Sequence, residues 1–198
     1  MSAIVLASAS EIRRTCLMRA GLNVESVPAR VDEDAIKDAL ILDGATPRNI
    51  ADALAEAKAQ KVGRKRPEAL VLGCDQVLDF DGRLISKPES KEDAIRQLNA
   101  MKGAAHKLFS AAVIYEDARP VWRHVGQSRL WMRDMSEGWI DGYVDRNWDS
   151  IQHSVGAYKL EEEGVRLFTR IEGDYFNILG LPLLEILSYL TLKGTLPG

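Results

Sequence analysis

Apolar residues along this chain form short continuous runs that alternate with longer stripes at helical spacing. The run at residues 3–7, bounded by serines, predicts a buried central strand. Ser10 then stands where a helix N-cap belongs, ahead of a helix carrying Leu17 and Ala20 and stopped by Gly21. A second short strand is expected over 24–29, followed by a loop holding Asp32, Glu33 and Asp34. Thr46-Pro47 opens the next helix, with proline at its preferred first position. Ile50, Leu54, Ala57 and Val62 mark its inner stripe, with Lys58 and Lys61 at the edge. The clearest strand is 69–74, ending on Asp75, and Asp81-Gly82 predicts a hairpin between 77–80 and 83–85. Ser90 begins a helix whose inner face is Ile95, Leu98 and Met101. Strands at 108–115 and 121–132 flank a turn at 117–120, and Ser136 caps a helix with Trp139, Ile140 and Tyr143. A strand at 165–171, a loop at 173–175 and a final helix from Pro182 with Leu183, Leu187 and Leu190 complete the series. The absence of repeats, low-complexity tracts and linkers makes one domain over 1–198 the simplest organisation.

Composition changes this picture little, since 46% hydrophobic and 28% charged residues are ordinary globular values. The net charge of −3 argues against a general electrostatic grip on DNA or RNA. Any phosphate binding must therefore come from a local cluster of cations and backbone N–H groups. Cys16 and Cys74 fit neither a disulfide framework nor a metal site, and read as reduced, buried small hydrophobes. The apolar start is short and lacks a preceding positive charge, so it reads as a strand rather than a signal peptide. With no apolar run of membrane-spanning length, the expectation is a soluble, cytoplasmic protein without a membrane partner.

The segment Ser8-x-Ser10-x-x-Arg13-Arg14 lies at the first strand-to-helix junction. A helix N-terminus offers free N–H groups and partial positive charge, and here hydroxyls and guanidinium groups add to it. The alternative is a capped helix with solvated arginines. Asp75, at a buried strand, sits where open α/β sheets place their ligand crevice. With Glu33 from the acidic loop it could hold Mg²⁺ or Mn²⁺ beside substrate phosphates, and one carboxylate could act as general base. A turn aspartate and a solvated loop are the competing readings. Lys58 and Lys87, the latter before Pro88, could neutralise charge on a departing pyrophosphate, or be plain surface lysines. His106, His124 and His153 lack metal-ligand spacing, and the four tryptophans lack a stacking-platform pattern; structural or surface roles suit them. Acyl-transfer and Walker A motifs are absent.

In order along the chain stand Leu6-Ala7-Ser8-Ala9-Ser10 with Arg13-Arg14, Asp32-Glu33, Ala55-Glu56-Ala57-Lys58-Ala59 and Leu72-Gly73-Cys74-Asp75-Gln76. Ser86-Lys87-Pro88, Gly103 with His106, Gly156-Ala157-Tyr158 and Gly173-Asp174-Tyr175 leading into Gly180-Leu181-Pro182-Leu183 follow. This ordered set resembles the Maf family of nucleoside triphosphate pyrophosphatases, over residues 4 to about 190. The resemblance implies an α/β fold, an elongated mixed β-sheet flanked by helices, with two lobes and a central cleft. It implies a divalent metal and hydrolysis between the α- and β-phosphates of a nucleotide, and it allows a homodimer. Carried onto this chain, Asp75 would be the catalytic base, Glu33 would help hold the metal, and Lys87 would share in catalysis. Ser8, Ser10, Arg13, Arg14 and Lys58 would grip the triphosphate. Two departures stand out: Glu11 replaces a usual proline, and Ser110 a common threonine.

Gln76 after the aspartate, with Glu161 in the loop after Gly-Ala-Tyr, is similar to the family branch acting on 7-methyl-GTP. A carboxylate only accepts hydrogen bonds, and guanine offers N1–H and the 2-amino group as paired donors. Uracil and thymine offer one donor flanked by acceptors. Ile12 departs from the aromatic residue common in that branch, and Glu161-Glu162-Glu163 is alternatively a solvated turn. The other readings are a dTTP/UTP pyrophosphatase and a non-catalytic nucleotide-binding regulator of cell division.

Overall fold

The computed structural model describes residues 3–197; Met1, Ser2 and Gly198, part of the single-domain expectation, lie outside it. The first apolar run forms β1 (Ile4–Leu6), buried along its length. Helix α1 (Glu11–Arg19) follows, buries Leu17 and gives way at Gly21, whose φ of +84° suits a residue without Cβ. Strand β2 (Val24–Ser26) is shorter than the expected 24–29. The expected acidic loop is instead the start of a helix, α2 (Glu33–Leu42), whose first N–H groups are capped by Asp32 accepting from Ala35 N at 3.1 Å. No residue of α2 is fully buried; Ile36 and Leu40, four residues apart, are partly buried against the core.

Helix α3 (Pro47–Gly63) begins as its Thr46-Pro47 signal predicts and buries Ile50, Leu54, Ala55, Ala59 and Val62. Strand β3 (Leu70–Phe80) corrects a second expectation: it runs straight through Asp75 rather than ending there. A turn at Asp81-Gly82 leads into β4 (Arg83–Ile85), and Ser90 caps α4 (Lys91–Met101) by accepting from Asp93 N. Strands β5 (Ala105–Glu116) and β6 (Arg119–Met132) are long, and Ser136 caps α5 (Glu137–Ile151). The last strand starts later than expected, because residues Glu163–Leu167 form a 3₁₀ turn ahead of β7 (Phe168–Glu172). The loop at Gly173-Asp174 runs into a one-turn helix, α6 (Tyr175–Ile178), before α7 (Leu183–Leu192).

One seven-stranded sheet unites these elements in the order β2-β1-β3-β5-β6-β7, with β4 alongside β3. β1 runs parallel to β2 and β3, while the remaining pairs are antiparallel. At one end α3 covers one face, packing Ile50 and Leu54 against Val5, Val71 and Val113. α1 and α7 cover the opposite face with Leu17, Ile186 and Leu190 against Leu6, Leu72 and Ile114. At the other end α4 and α5 bury Leu98, Met101, Ile140 and Tyr143 against Leu108 and Leu130. The sheet is thus mixed and clad by helices, with separate apolar cores towards its two ends.

Candidate active site

β1 pairs with β3 only as far as Leu72, and β4 joins the same strand only from Leu78 onward. On the other side β3 is paired without interruption, from Val71 opposite Tyr115 to Asp79 opposite Lys107. Residues 73–77 therefore have a strand on one edge and a cleft on the other. This cleft has a volume of about 1060 Å³. Among the expected site residues, Ser10, Ile12, Arg13, Glu33, Lys58, Asp75, Gln76, Lys87 and Glu161 all line it. Ser8 and Arg14 do not.

The approach of α3 to β3 sets the floor. Gly73 lies so close to α3 that a Cβ there would fall 2.2 Å from the Ala55 carbonyl oxygen and 2.6 Å from Ala59 N. Gly73 and Asp75, two residues apart, share one face of the strand. Lys58, from the same turn of α3, reaches that face and places Nζ 2.5 Å from Asp75 Oδ1. The same ammonium sits 2.9 Å from Glu33 Oε1, at the first residue of α2. Asp75 and Lys58 are both buried, whereas Glu33 is half-exposed. Burial pushes the Asp75 carboxyl above the usual aspartate range, against the opposing pull of Lys58 and Arg13. Burial acts upward on Glu33 as well, but Lys58, Lys87 and Lys37 together hold it below the ordinary glutamate value. Lys37, absent from the sequence reading, also pairs with Asp34 at 2.8 Å and lines the cleft. Lys87 is exposed on the cleft wall.

The first strand-to-helix junction is not a simple capped helix. Ser10 occupies the N-cap position but makes no capping bond with its hydroxyl; its N–H donates instead to Ser8 Oγ at 3.2 Å. Nor is Arg13 solvated. Its Nε donates to the Gly180 carbonyl at 2.8 Å and its Nη1 to the Cys74 carbonyl at 3.0 Å, on the free edge of β3. Gly180 has φ +85°, and a Cβ there would lie 2.8 Å from Arg13 Nη2. Ser8 is buried behind this arrangement, 3.4 Å from Arg13 Nη1. Arg14 turns outward to pair with Glu11 at 3.0 Å.

Gln76 points to the opposite face from Asp75. Its Nε2 lies 3.0 Å from each of three acceptors, Ser110 Oγ and the carbonyls of Asn177 and Ile178. Carbonyls only accept, so the amide orientation is set: Nε2 is committed and Oε1 is the end turned away. Ser110, fully buried, also donates to the Asn177 carbonyl at 2.5 Å. The one-turn helix α6 that provides these carbonyls carries no strong sequence signal beyond its Asp174 cap.

On the far wall, Gly156 and Ala157 adopt positive φ of 75° and 56° and turn Tyr158 inward. Tyr158 is buried yet lines the cleft, and its hydroxyl lies 2.8 Å from His106 Nε2. His106 is 2% exposed and packs between Tyr158 and Phe168, so burial drives its pKa down to about 4. Beyond this turn Glu161 stands exposed at the rim.

Among the described residues, no group of three or more His, Cys, Asp or Glu is placed to hold a metal ion. Glu33 and Asp75 are the two oxygen donors that converge on one point, and hard oxygen donors suit Mg²⁺ or Mn²⁺ when phosphate oxygens complete the shell.

A family model described as Maf-like protein matches residues 3–192. The "Nucleoside triphosphate pyrophosphatase" of Ruegeria sp. (strain TM1040) is 64% identical over 191 residues, covering 96% of both chains. That of Roseobacter denitrificans is 60% identical, with 98% of both chains covered. The "7-methyl-GTP pyrophosphatase" of Mesorhizobium japonicum is 47% identical, again over 98% of both. Among solved structures, a HAM1 protein from Coxiella burnetii aligns with a TM-score of 0.42 at 16% identity, over 68% of this chain and 75% of that one. Because the family model spans nearly the whole chain, with relatives matched end to end, the protein belongs to the Maf-like protein family.

Proposed function

We propose that this cleft hydrolyses a nucleoside triphosphate to a monophosphate and pyrophosphate. The observation that carries the reading is Asp75, buried at the cleft floor with one carboxylate oxygen held by Lys58. Its other oxygen is the one open to a water molecule. That water attacks the α-phosphorus, Asp75 takes its proton, a new P–O bond forms, and the bond to the bridging oxygen breaks. The departing pyrophosphate gathers negative charge. Arg13, anchored through two of its nitrogens, keeps Nη2 for a phosphate oxygen, and Lys87 adds a mobile positive charge. Ser10, with an uncommitted hydroxyl at the helix N-terminus, completes the phosphate grip. Ser8 supports it from behind by fixing Ser10 N and Arg13. A divalent cation held by Glu33 and Asp75 would neutralise phosphate charge during this step. Arg14 faces away from the cleft and takes no part in this scheme.

The finer reading is 7-methyl-GTP. The committed Nε2 of Gln76 leaves its carbonyl oxygen as the group available to a base, and Glu161 at the rim is a second pure acceptor. Two acceptors suit the paired donors of guanine better than the single donor of uracil or thymine. A positively charged, methylated purine gains further from the Glu161 charge. Relatives bearing the 7-methyl-GTP name, at 47% and 44% identity, support this reading, while the more similar ones carry the general name.

The test is pyrophosphate release from 7-methyl-GTP, GTP, UTP and dTTP with Mg²⁺ or Mn²⁺, for the unaltered protein and Glu161→Gln. The expected result is preferred turnover of 7-methyl-GTP, with the substitution lowering its kcat/KM more than that of UTP, by about ten-fold or more. A larger loss on UTP would overturn the guanine reading in favour of a pyrimidine substrate. Tight binding of nucleotides with no turnover would point to a regulator.

A further inference from the structure

Lys58 occupies an unusual position for a residue expected to touch phosphate. Its ammonium lies between the two carboxylates of the floor, 2.5 Å from Asp75 Oδ1 and 2.9 Å from Glu33 Oε1. Its side chain is only 11% exposed, and Gly73 seats its backbone hard against the strand. It is therefore not a surface lysine that drifts away at no cost. An ammonium stripped of both carboxylates within a buried site must find other anions or pay for desolvation without return. A divalent cation touching the same two oxygens would stand within a few ångströms of this charge, and like charges at that range repel strongly in a partly buried site.

We infer that Lys58 is the resident cation of the ligand-free site and that it bars a divalent ion from binding alone. The ion enters as its complex with the nucleotide, whose phosphates offer Lys58 the anionic partners it needs to release Glu33 and Asp75. Metal and nucleotide binding are then positively coupled through one side chain, and by linkage the coupling is equal in both directions. The surrounding charges agree with this arrangement. Lys37 and Lys87 also act on Glu33, so the free site is already rich in cations, while Arg13 and Lys87 await the phosphates.

The metal half of this inference stands apart from the proposed hydrolysis and is read without turnover. Binding of Mn²⁺ is followed by electron paramagnetic resonance, and thermal unfolding with and without Mn²⁺ gives a second readout. The intact protein should bind Mn²⁺ alone weakly and show no Mn²⁺-dependent rise in Tm. Lys58→Met, which removes the charge and keeps the bulk, should bind Mn²⁺ alone more tightly by about 5- to 150-fold, the usual span of such a coupling. It should also gain Tm on adding Mn²⁺. Lys58→Arg keeps the charge and should behave like the intact protein. Adding Glu33→Gln to Lys58→Met should abolish the gained affinity, which locates the ion. With an α,β-methylene nucleoside triphosphate present, the intact protein should bind Mn²⁺ more tightly by a similar factor. Equal Mn²⁺ affinity in the intact protein and Lys58→Met, with the variant still unfolding cooperatively, would overturn the inference. So would Mn²⁺ binding to the intact protein that the nucleotide analogue leaves unchanged. Failure of the proposed hydrolysis alone, seen as no pyrophosphate from any nucleotide, leaves the comparison of Lys58→Met with the intact protein fully readable.

Discussion

Asp75 illustrates how a single residue acquires reactivity from its surroundings. Burial raises its pKa, and the charges of Lys58 and Arg13 oppose that rise. His106 is the contrasting case, a buried titratable group with no charged partner. Its Nε2 meets Tyr158 and its Nδ1 has no hydrogen-bond partner among the described residues, so nothing compensates a positive charge there. Its folded-state pKa of about 4 lies below the ordinary histidine value of 6.5. Between these values the unfolded chain binds the proton that the folded one refuses. Stability is therefore retained above about pH 6.5 and lost as pH falls towards about 4, by an amount of order 3 kcal/mol. Urea unfolding across this window should show the loss, and His106→Phe should flatten it. An unchanged slope in the variant would assign the acid sensitivity to other groups. Structural or surface roles suited this histidine in the sequence; it is buried, and its pairing with Tyr158 had no local signal. The two residues lie 52 positions apart and meet only through tertiary structure.

At the scale of elements, the site exists because two strands stop short. β1 releases β3 after Leu72 and β4 takes it up at Leu78, leaving a window in which Asp75 and Gln76 face opposite sides of one strand. The apolar run up to Cys74 was legible in the sequence, yet it suggested that the strand ended at Asp75. Long-range pairing with β5 carries the strand through those polar residues, and such pairing leaves no trace in local hydropathy. The acidic cluster at its start hides helix α2, although Asp32 caps it and Ile36 and Leu40, four residues apart, pack partly buried against the core. The Thr46-Pro47, Ser90 and Ser136 starts were legible because a cap and a strong inner face coincide in each. Gly73 links the elements to the chemistry. A Cβ at that position meets backbone atoms of α3, which cannot rotate away. Gly73→Ala should push α3 outward, cost about 1–3 kcal/mol in thermal or urea unfolding, and lower turnover by moving Lys58 away from the cleft floor, where it must reach the substrate phosphates. A variant of unchanged stability and turnover would show that the close approach is dispensable.

Across the whole molecule, one sheet carries apolar cores towards both ends and a polar cleft where its pairing is interrupted. The residues that meet in that cleft come from α1, α2, α3, β3, the segment after β4 and the loop after α5. Each was individually ambiguous in the sequence: a capped helix, an acidic loop, a strand-end aspartate, surface lysines. The order of the motifs made the set recognisable, whereas the contacts among them required the fold. Among the described residues no helix is long and apolar enough to cross a membrane. In the proposed reaction, water activated by Asp75 attacks the α-phosphorus of a nucleoside triphosphate. Turnover in heavy-oxygen water, with products separated and weighed by mass spectrometry, tests it most directly. The expected result is label in the nucleoside monophosphate, unlabelled pyrophosphate, and a fall in kcat of about a hundred- to ten-thousand-fold for Asp75→Asn. Label in the pyrophosphate, release of single orthophosphate, or full turnover by Asp75→Asn would contradict it.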